Sequence, residues 1–251
     1  MSSIVTCQVG EETILLDLDS GEGGETRERN WELWRAQTYT TKEPDTLAWI
    51  DSFLRKGDVF YDVGANIGQY SLYAAKRLKG DCRVLAFEPE ALNYAKLNKN
   101  IVLNGLSEAI TAYCLAITDR SALDVFYVKA FSPGASLHAL GQPIGQGEKP
   151  FPPSHMQGMM GVSLDDLVGR FSLPFPNHIK IDVDGIEDLI IQGARRTLAD
   201  PRLKSVLIEV YIHKDIAFRI KEMFDQHQFI LHNAEAVTYE PGTAQNLIFR
   251  R

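Results

Sequence analysis

The chain has 251 residues, 45% hydrophobic and 24% charged, which suits one large domain or one domain with an N-terminal addition. A formal net charge of −7 argues against a general nucleic-acid grip, because holding phosphates needs a basic surface. Cys7, Cys82 and Cys114 show no C-x-x-C spacing, the start MSSIVTCQVGEE lacks a leader pattern, and no long apolar run occurs, so a cytoplasmic chain with reduced thiols and no membrane partner is expected.

In chain order, Ile4–Val9 and Thr13–Leu18 flank Gly10, Glu11 and Glu12 and predict a β-hairpin. Residues 19–30, DSGEGGETRERN, are too poor in apolar side chains to pack and read as an exposed loop. A helix is expected from Trp31 into the Tyr39 region, and another from Pro44 to Leu54 with proline in its first turn. Trp34, Tyr39 and Trp49 face either a cofactor or the core and lid, and aromatic stripes are mostly core.

The stretch Gly57–Gly68, GDVFYDVGANIG, reads as a buried strand entering a glycine-framed turn, with a helix from Gln69 to Leu78 behind it. Such a junction lets a ligand approach bare backbone. A dinucleotide turn wants G-x-G-x-x-G, but Asn66 occupies the middle position, and Asp62 would repel a pyrophosphate while suiting an ammonium group. The stretch resembles the first motif of class I S-adenosylmethionine-dependent methyltransferases, whose D-x-G-x-x-x-G turn wraps the methionine part of the cofactor. Asp62, Gly64, Asn66 and Gly68 are the cofactor-binding candidates it supplies, with a purely structural glycine turn as the alternative.

A second strand, Arg83–Phe87, ends at Glu88 and Pro89, and Glu88 lies 20 residues beyond Gly68 (88 − 68), where an acid can accept both hydroxyls of a ribose. A helix from Glu90 to Leu103 stops at Asn104-Gly105. Ile110–Ile117 reads as a third strand whose end brings Ala116 and Asp119 towards an adenine, although Asp119 also suits a turn. Leu123–Val128 suggests one more strand. Regular patterning then stops from Phe131 to Gly161, a proline- and glycine-rich stretch that is either a substrate lid or an insertion.

Ser163 caps a short helix, and His178–Val183 forms the fourth main strand, ending in IDVDGIED. Asp182, Asp184 and Glu187 gather there with Lys180, at the carboxyl edge where open α/β sheets bind ligands. A helix from Glu187 to Leu198 and a strand from Ser205 to Tyr211 follow, delivering Glu209 and then His213 to the same edge. The chain finishes with a helix near Asp215–Gln226, a strand near Phe229–His232 and a strand Leu247–Arg250, an ending that suggests a closing antiparallel pair.

Taken together, GDVFYDVGANIG, AFEPE, the NG after the second helix, LAITD, Ser136-Leu137, VSLDDL, HIKIDVDGIEDLIIQGA and VLIEV resemble the FkbM family of methyltransferases from about residue 43 onward. Asp184 departs from the pattern, which commonly has glutamate there. The resemblance implies an α/β, Rossmann-like class I methyltransferase fold: a seven-stranded, mostly parallel sheet with helices on both faces and a C-terminal antiparallel strand pair. Residues 1–42 would form a hairpin and helical extension, and residues 43–251 the methyltransferase domain. The implied activity is S-adenosylmethionine-dependent O-methylation of a hydroxyl on a sugar, polyketide or related small molecule, with a homodimer as an open expectation.

Such an enzyme must align the hydroxyl with the sulfonium and remove a proton. Lys180, Asp182, Glu209 and His213 are the catalytic candidates, Asp182 shaping the methionine end and the others orienting the acceptor or taking its proton. Each has a plainer reading: Lys180 as the partner of a buried carboxylate, His213 as a surface residue. A divalent metal on Asp182, Asp184 and Glu209 is a less favoured variant. A non-catalytic S-adenosylmethionine-binding protein and an NAD-dependent oxidoreductase are the remaining alternatives.

Overall fold

The computed structural model describes residues 2–19, 30–212, 216–233, 240 and 242–251. Strands β1 (Ser2–Val9) and β2 (Glu12–Asp19) pair antiparallel, as the sequence predicts. Helix α1 (Trp31–Gln37) starts at Asn30, whose side-chain oxygen accepts the Leu33 N–H, and α2 (Pro44–Phe53) carries its proline in the first turn. The loop expected over residues 19–30 falls, for 20–29, outside the described residues.

Strand β3 (Val59–Val63) runs through the glycine turn into α3 (Gln69–Arg77). Next come β4 (Arg83–Phe87), α4 (Ala91–Leu103) and β5 (Ile110–Tyr113). A second group follows: β6 (Ala116–Ile117), β7 (Ala122–Val128), β8 (Ala139–Leu140), the short pair β9 (Ile144–Gly145) and β10 (Lys149–Pro150), and β11 (His155–Val162). The chain then continues through α5 (Leu164–Gly169), β12 (His178–Ile181), α6 (Glu187–Gln192), α7 (Arg195–Ala199) and β13 (Ser205–Tyr211). It closes with α8 (Ile216–Gln226), β14 (Ile230–Leu231) and β15 (Ala244–Arg250).

The main sheet has seven strands in the order β14-β15-β13-β12-β3-β4-β5. From β5 to β13 all neighbours are parallel, and β15 runs antiparallel to both β13 and β14. This is the Rossmann-like class I methyltransferase fold that the motifs imply. The strand order reverses between β3 and β12, which opens a crevice at their carboxyl ends.

Strand alternation divides the core between the two faces of this sheet. On one face Phe60, Val84, Ala86 and Leu207 pack with the hairpin residues Ile14, Leu16 and Leu18 and with Leu72 and Leu97. On the other, Tyr61, Val63, Leu85 and Ile181 pack with Leu167, Ile190 and Phe224. The N-terminal hairpin thus shares the core of the main sheet, and polar contacts pin it as well. Asn104 holds both backbone groups of Leu15, at 2.9 and 2.7 Å, and buried Lys96 pairs with Asp17, Asp19 and Glu32. Tyr39 and Trp49 are core residues, 2% and 1% exposed.

Three predicted elements differ from the structure. The strand expected over Ile110–Ile117 is two, because Ala116 and Ile117 leave β4 and pair with Gly161 and Val162 of β11. Residues 155–161, the end of the stretch expected to lack regular patterning, form β11 together with Val162, and β11 pairs antiparallel with β7; its glycines and methionines give no alternating pattern to read. The helix expected from Glu187 to Leu198 breaks at Gly193, where a Cβ would stand 2.5 Å from the Thr118 carbonyl oxygen. Among the described residues no helix is long and apolar enough to cross a membrane.

Candidate active site

A cavity of about 270 Å³ opens at the carboxyl ends of β3, β4, β12 and β13. The glycine turn forms its floor. Gly64 lines the cavity with φ +79°, and a Cβ there would sit 1.9 Å from the Asp182 carbonyl oxygen, so the turn after β3 and the end of β12 touch only because Gly64 has no side chain. Gly68 has a different task. Its missing Cβ makes room for Leu97 of α4, 2.6 Å away, and it is not among the cavity-lining residues.

Asp62, expected beside the cofactor, also lies outside the lining, beneath the turn. It is fully buried, and its Oδ2 accepts the Ser71 hydroxyl at 2.6 Å. Burial raises its pKa, against the pull of Lys180 beside it in register.

Glu88 and Asn66 do reach the cavity. The Asn66 N–H donates to Glu88 Oε2 at 2.7 Å, and the Glu90 N–H donates to Oε1 at 2.9 Å, so the turn after β3 is tied to the acid at the end of β4. Burial raises the Glu88 pKa to about 7 despite those two donors. Pro89 and Ala116 line the same end, with Phe87, Leu115, Ile117, Phe126 and Leu140 making it apolar. Asp119 does not; its carboxylate takes the Thr118 hydroxyl and the Arg120 guanidinium, a turn role.

The opposite end is polar, lined by Asp182, Asp184, Glu209, Lys42, Gln69 and Tyr70. Lys180 is 1% exposed, stays off the wall, and reaches Asp182 from below at 2.8 Å, with the Tyr70 ring 4.8 Å from its nitrogen. Burial works against the Asp182 charge, but Lys180 outweighs it and holds the carboxyl below its usual range. That fixed negative charge, ahead of burial, pushes Glu209 up to about 9. Burial, then Asp182, raises Asp184 to about 6, and the Leu137 N–H donates to Asp184 at 2.5 Å. Glu187, behind them, folds back onto the Gly185 N–H at 3.1 Å. His213 lies outside the described residues. Among the described residues no three His, Cys, Asp or Glu side chains group so as to hold a metal ion.

The sequence did not mark every wall residue. Trp34, offered as facing either a cofactor or the core and lid, lines the cavity, and Trp31, Arg35 and Lys42, from α1 and the turn after it, join it unmarked. The first part of the stretch expected as lid or insertion, Ala135–Leu140, covers the cavity. It is anchored there, since the Ala135 carbonyl accepts both Asn66 Nδ2 and Asn93 Nδ2, and the Gly134 carbonyl accepts Arg35 Nε.

Comparison with known proteins gives the chain's relatives. The 31-O-demethyl-FK506 methyltransferase FkbM of Streptomyces tacrolimicus is 28% identical, the match covering 63% of this chain and 67% of that protein. The hexuronic acid methyltransferase AglP of Haloferax volcanii is 24% identical over 73% of this chain and 68% of its own. The crystal structure of M. jannaschii TYW2 in complex with AdoMet aligns with all of this chain and 88% of its own, at 13% identity and a TM-score of 0.45. A family model described as the methyltransferase FkbM domain matches residues 62–240. The chain belongs to the FkbM family of methyltransferases.

Proposed function

We propose that this methyltransferase uses S-adenosylmethionine to methylate a hydroxyl of a small molecule or saccharide. The observation that carries the reading is the position of Glu88, a buried carboxylate between the glycine turn and an apolar slot. Its oxygens suit the two ribose hydroxyls, and Phe87, Leu115 and Ile117 suit the adenine. The acids at the polar end suit a cation. The two relatives, named for a demethyl-FK506 and a hexuronic acid, support an oxygen acceptor on a small molecule or sugar.

S-adenosylmethionine supplies a methyl group already activated on a positive sulfonium. The chain's task is therefore alignment and proton removal. Asp182, kept ionised by Lys180, gives the polar end a fixed negative charge that favours a cation beside Gly64. Glu209, made more basic by the same charge, is the proton acceptor we assign for the hydroxyl. Lys180 acts through Asp182, since it does not itself line the cavity. The test is transfer of labelled methyl from S-adenosylmethionine into a panel of uronic acids, neutral sugars and macrolide alcohols. Label on an acceptor hydroxyl supports the reading, and label only on the carboxylate of the uronic acids would overturn it.

A further inference from the structure

Arg35 is buried to 8% exposure at the cavity wall, yet no carboxylate among the described residues pairs with it. Its one hydrogen bond there is from Nε to the Gly134 carbonyl, at 2.7 Å. The two Nη groups have no hydrogen-bond partner among the described residues. These groups are not among the sealed, unpartnered polar atoms, and Arg35 lines the cavity, so a guanidinium with donors to spare stands where a bound anion can reach it. Glu88, Asp182 and Asp184 all feel its charge, but none closes an ion pair with it: Glu88 takes two backbone N–H groups, Asp182 pairs with Lys180 and Asp184 takes the Leu137 N–H.

The side chain is anchored at Nε and the backbone at its carbonyl. Trp34 lies 5.9 Å from its guanidinium carbon, Gln69 at the start of α3 donates to the Arg35 carbonyl at 3.0 Å, and Gly134 fixes Nε. A fork fixed at its Nε side presents its remaining donors in one plane, the geometry that matches a carboxylate.

We propose that Arg35 is the carboxylate receptor of the active-site cavity. The inference rests on the methyl-transfer reading and extends it: the cavity's acids serve the ribose, the cationic centre and the acceptor hydroxyl, and Arg35 serves an acidic part. Two carboxylates could occupy it, that of the cofactor's methionine or that of an acidic sugar acceptor. Because Arg35 lies before the residues 62–240 matched by the family model, the N-terminal segment would complete the binding site.

The experiment is calorimetry with paired ligands. Wild type, Arg35→Gln and Arg35→Lys are titrated with S-adenosylmethionine and with its decarboxylated analogue, which lacks only the carboxylate. With S-adenosylhomocysteine bound, the same proteins are titrated with D-glucuronate and D-glucose, and thermal melting reports whether each variant folds. If the cofactor is the source, Arg35→Gln weakens S-adenosylmethionine roughly tenfold or more and leaves the decarboxylated analogue unchanged. If the acceptor is the source, the selective loss appears with glucuronate against glucose. A folded Arg35→Lys that recovers only part of the preference supports recognition by the planar fork. Equal losses within both pairs, or no loss, overturn the inference. A wild type that binds neither cofactor form overturns the functional reading itself and the inference with it.

Discussion

Lys180 and Asp182 stand two residues apart and close an ion pair of 2.8 Å, yet only Asp182 reaches the cavity. Strand β12 ends at Ile181, so the Asp182 side chain leaves the alternation that buries Lys180 beside Asp62. The lysine therefore acts as a counter-charge from beneath the site.

Removing that lysine leaves two carboxylates without it. Lys180→Met is expected to cost about 3 kcal/mol in urea unfolding at pH 7, the size typical of breaking a buried pair from one side. The Asp182 pKa is depressed in the folded state, so its contribution is present above the unfolded value of about 3.9 and is lost as pH falls through the lower folded value. Acid unfolding of Lys180→Met should lack that component. Unchanged stability at pH 7 would mean that the pair is not formed.

Glu88 predicts the opposite sign. Its folded pKa of about 7 lies above the unfolded value of about 4.3, so its effect favours the folded protein at low pH and declines as pH rises through 7. A ribose donating to this group requires the ionised form. S-adenosylhomocysteine should therefore release a proton on binding near pH 6 and bind more tightly as pH rises to about 8. Calorimetry in buffers of different ionisation enthalpy measures the release, which Glu88→Gln should abolish. Proton-neutral binding by the wild type at pH 6 would remove Glu88 from the ribose.

The glycine turn allows a paired comparison. Gly64 and Gly57 both have positive φ, +79° and +80°, but a Cβ at Gly57 meets nothing within 4 Å, whereas at Gly64 it meets the Asp182 carbonyl at 1.9 Å. Gly57→Ala should cost about 1 kcal/mol, the strain of a left-handed alanine. Gly64→Ala should cost more than about 2 kcal/mol and also abolish S-adenosylhomocysteine binding, because β3 and β12 must separate. Equal costs in chemical denaturation would contradict the close approach.

Glu209 carries the prediction about rate. With Asp182 raising its pKa to about 9, it is protonated at neutral pH and must ionise to take a proton. Turnover should rise with pH up to about 9, and Glu209→Gln should lower kcat by about a hundredfold while changing S-adenosylhomocysteine affinity less than threefold. A variant with full kcat across pH would reassign the base.

Much of this could be read in the chain because it depends on local chemistry. The hairpin, β3 with its turn, Glu88 at the end of β4 and the acids after β12 each announce themselves by alternation, glycine or position at a strand end. What could not be read depends on contacts between distant segments. Sequence spacing makes Asp62 and Gly68 look like ligand contacts, but burial under the turn and packing on Leu97 decide their positions. Nothing local says that α1 folds over the cavity, so Arg35 and Lys42 carried no signal and Trp34 only an ambiguous one. Strand β11 is hidden for the same reason, being defined by β7 rather than by its own residues.

The central claim is that the cavity beside Gly64 and Glu88 holds S-adenosylmethionine, and calorimetry of the wild type and Glu88→Ala with S-adenosylhomocysteine and with NAD tests it most directly. The account predicts one-to-one binding of S-adenosylhomocysteine by the wild type, at least a tenfold loss in Glu88→Ala, and no heat with NAD. Binding of NAD, or S-adenosylhomocysteine affinity that ignores Glu88, would contradict it.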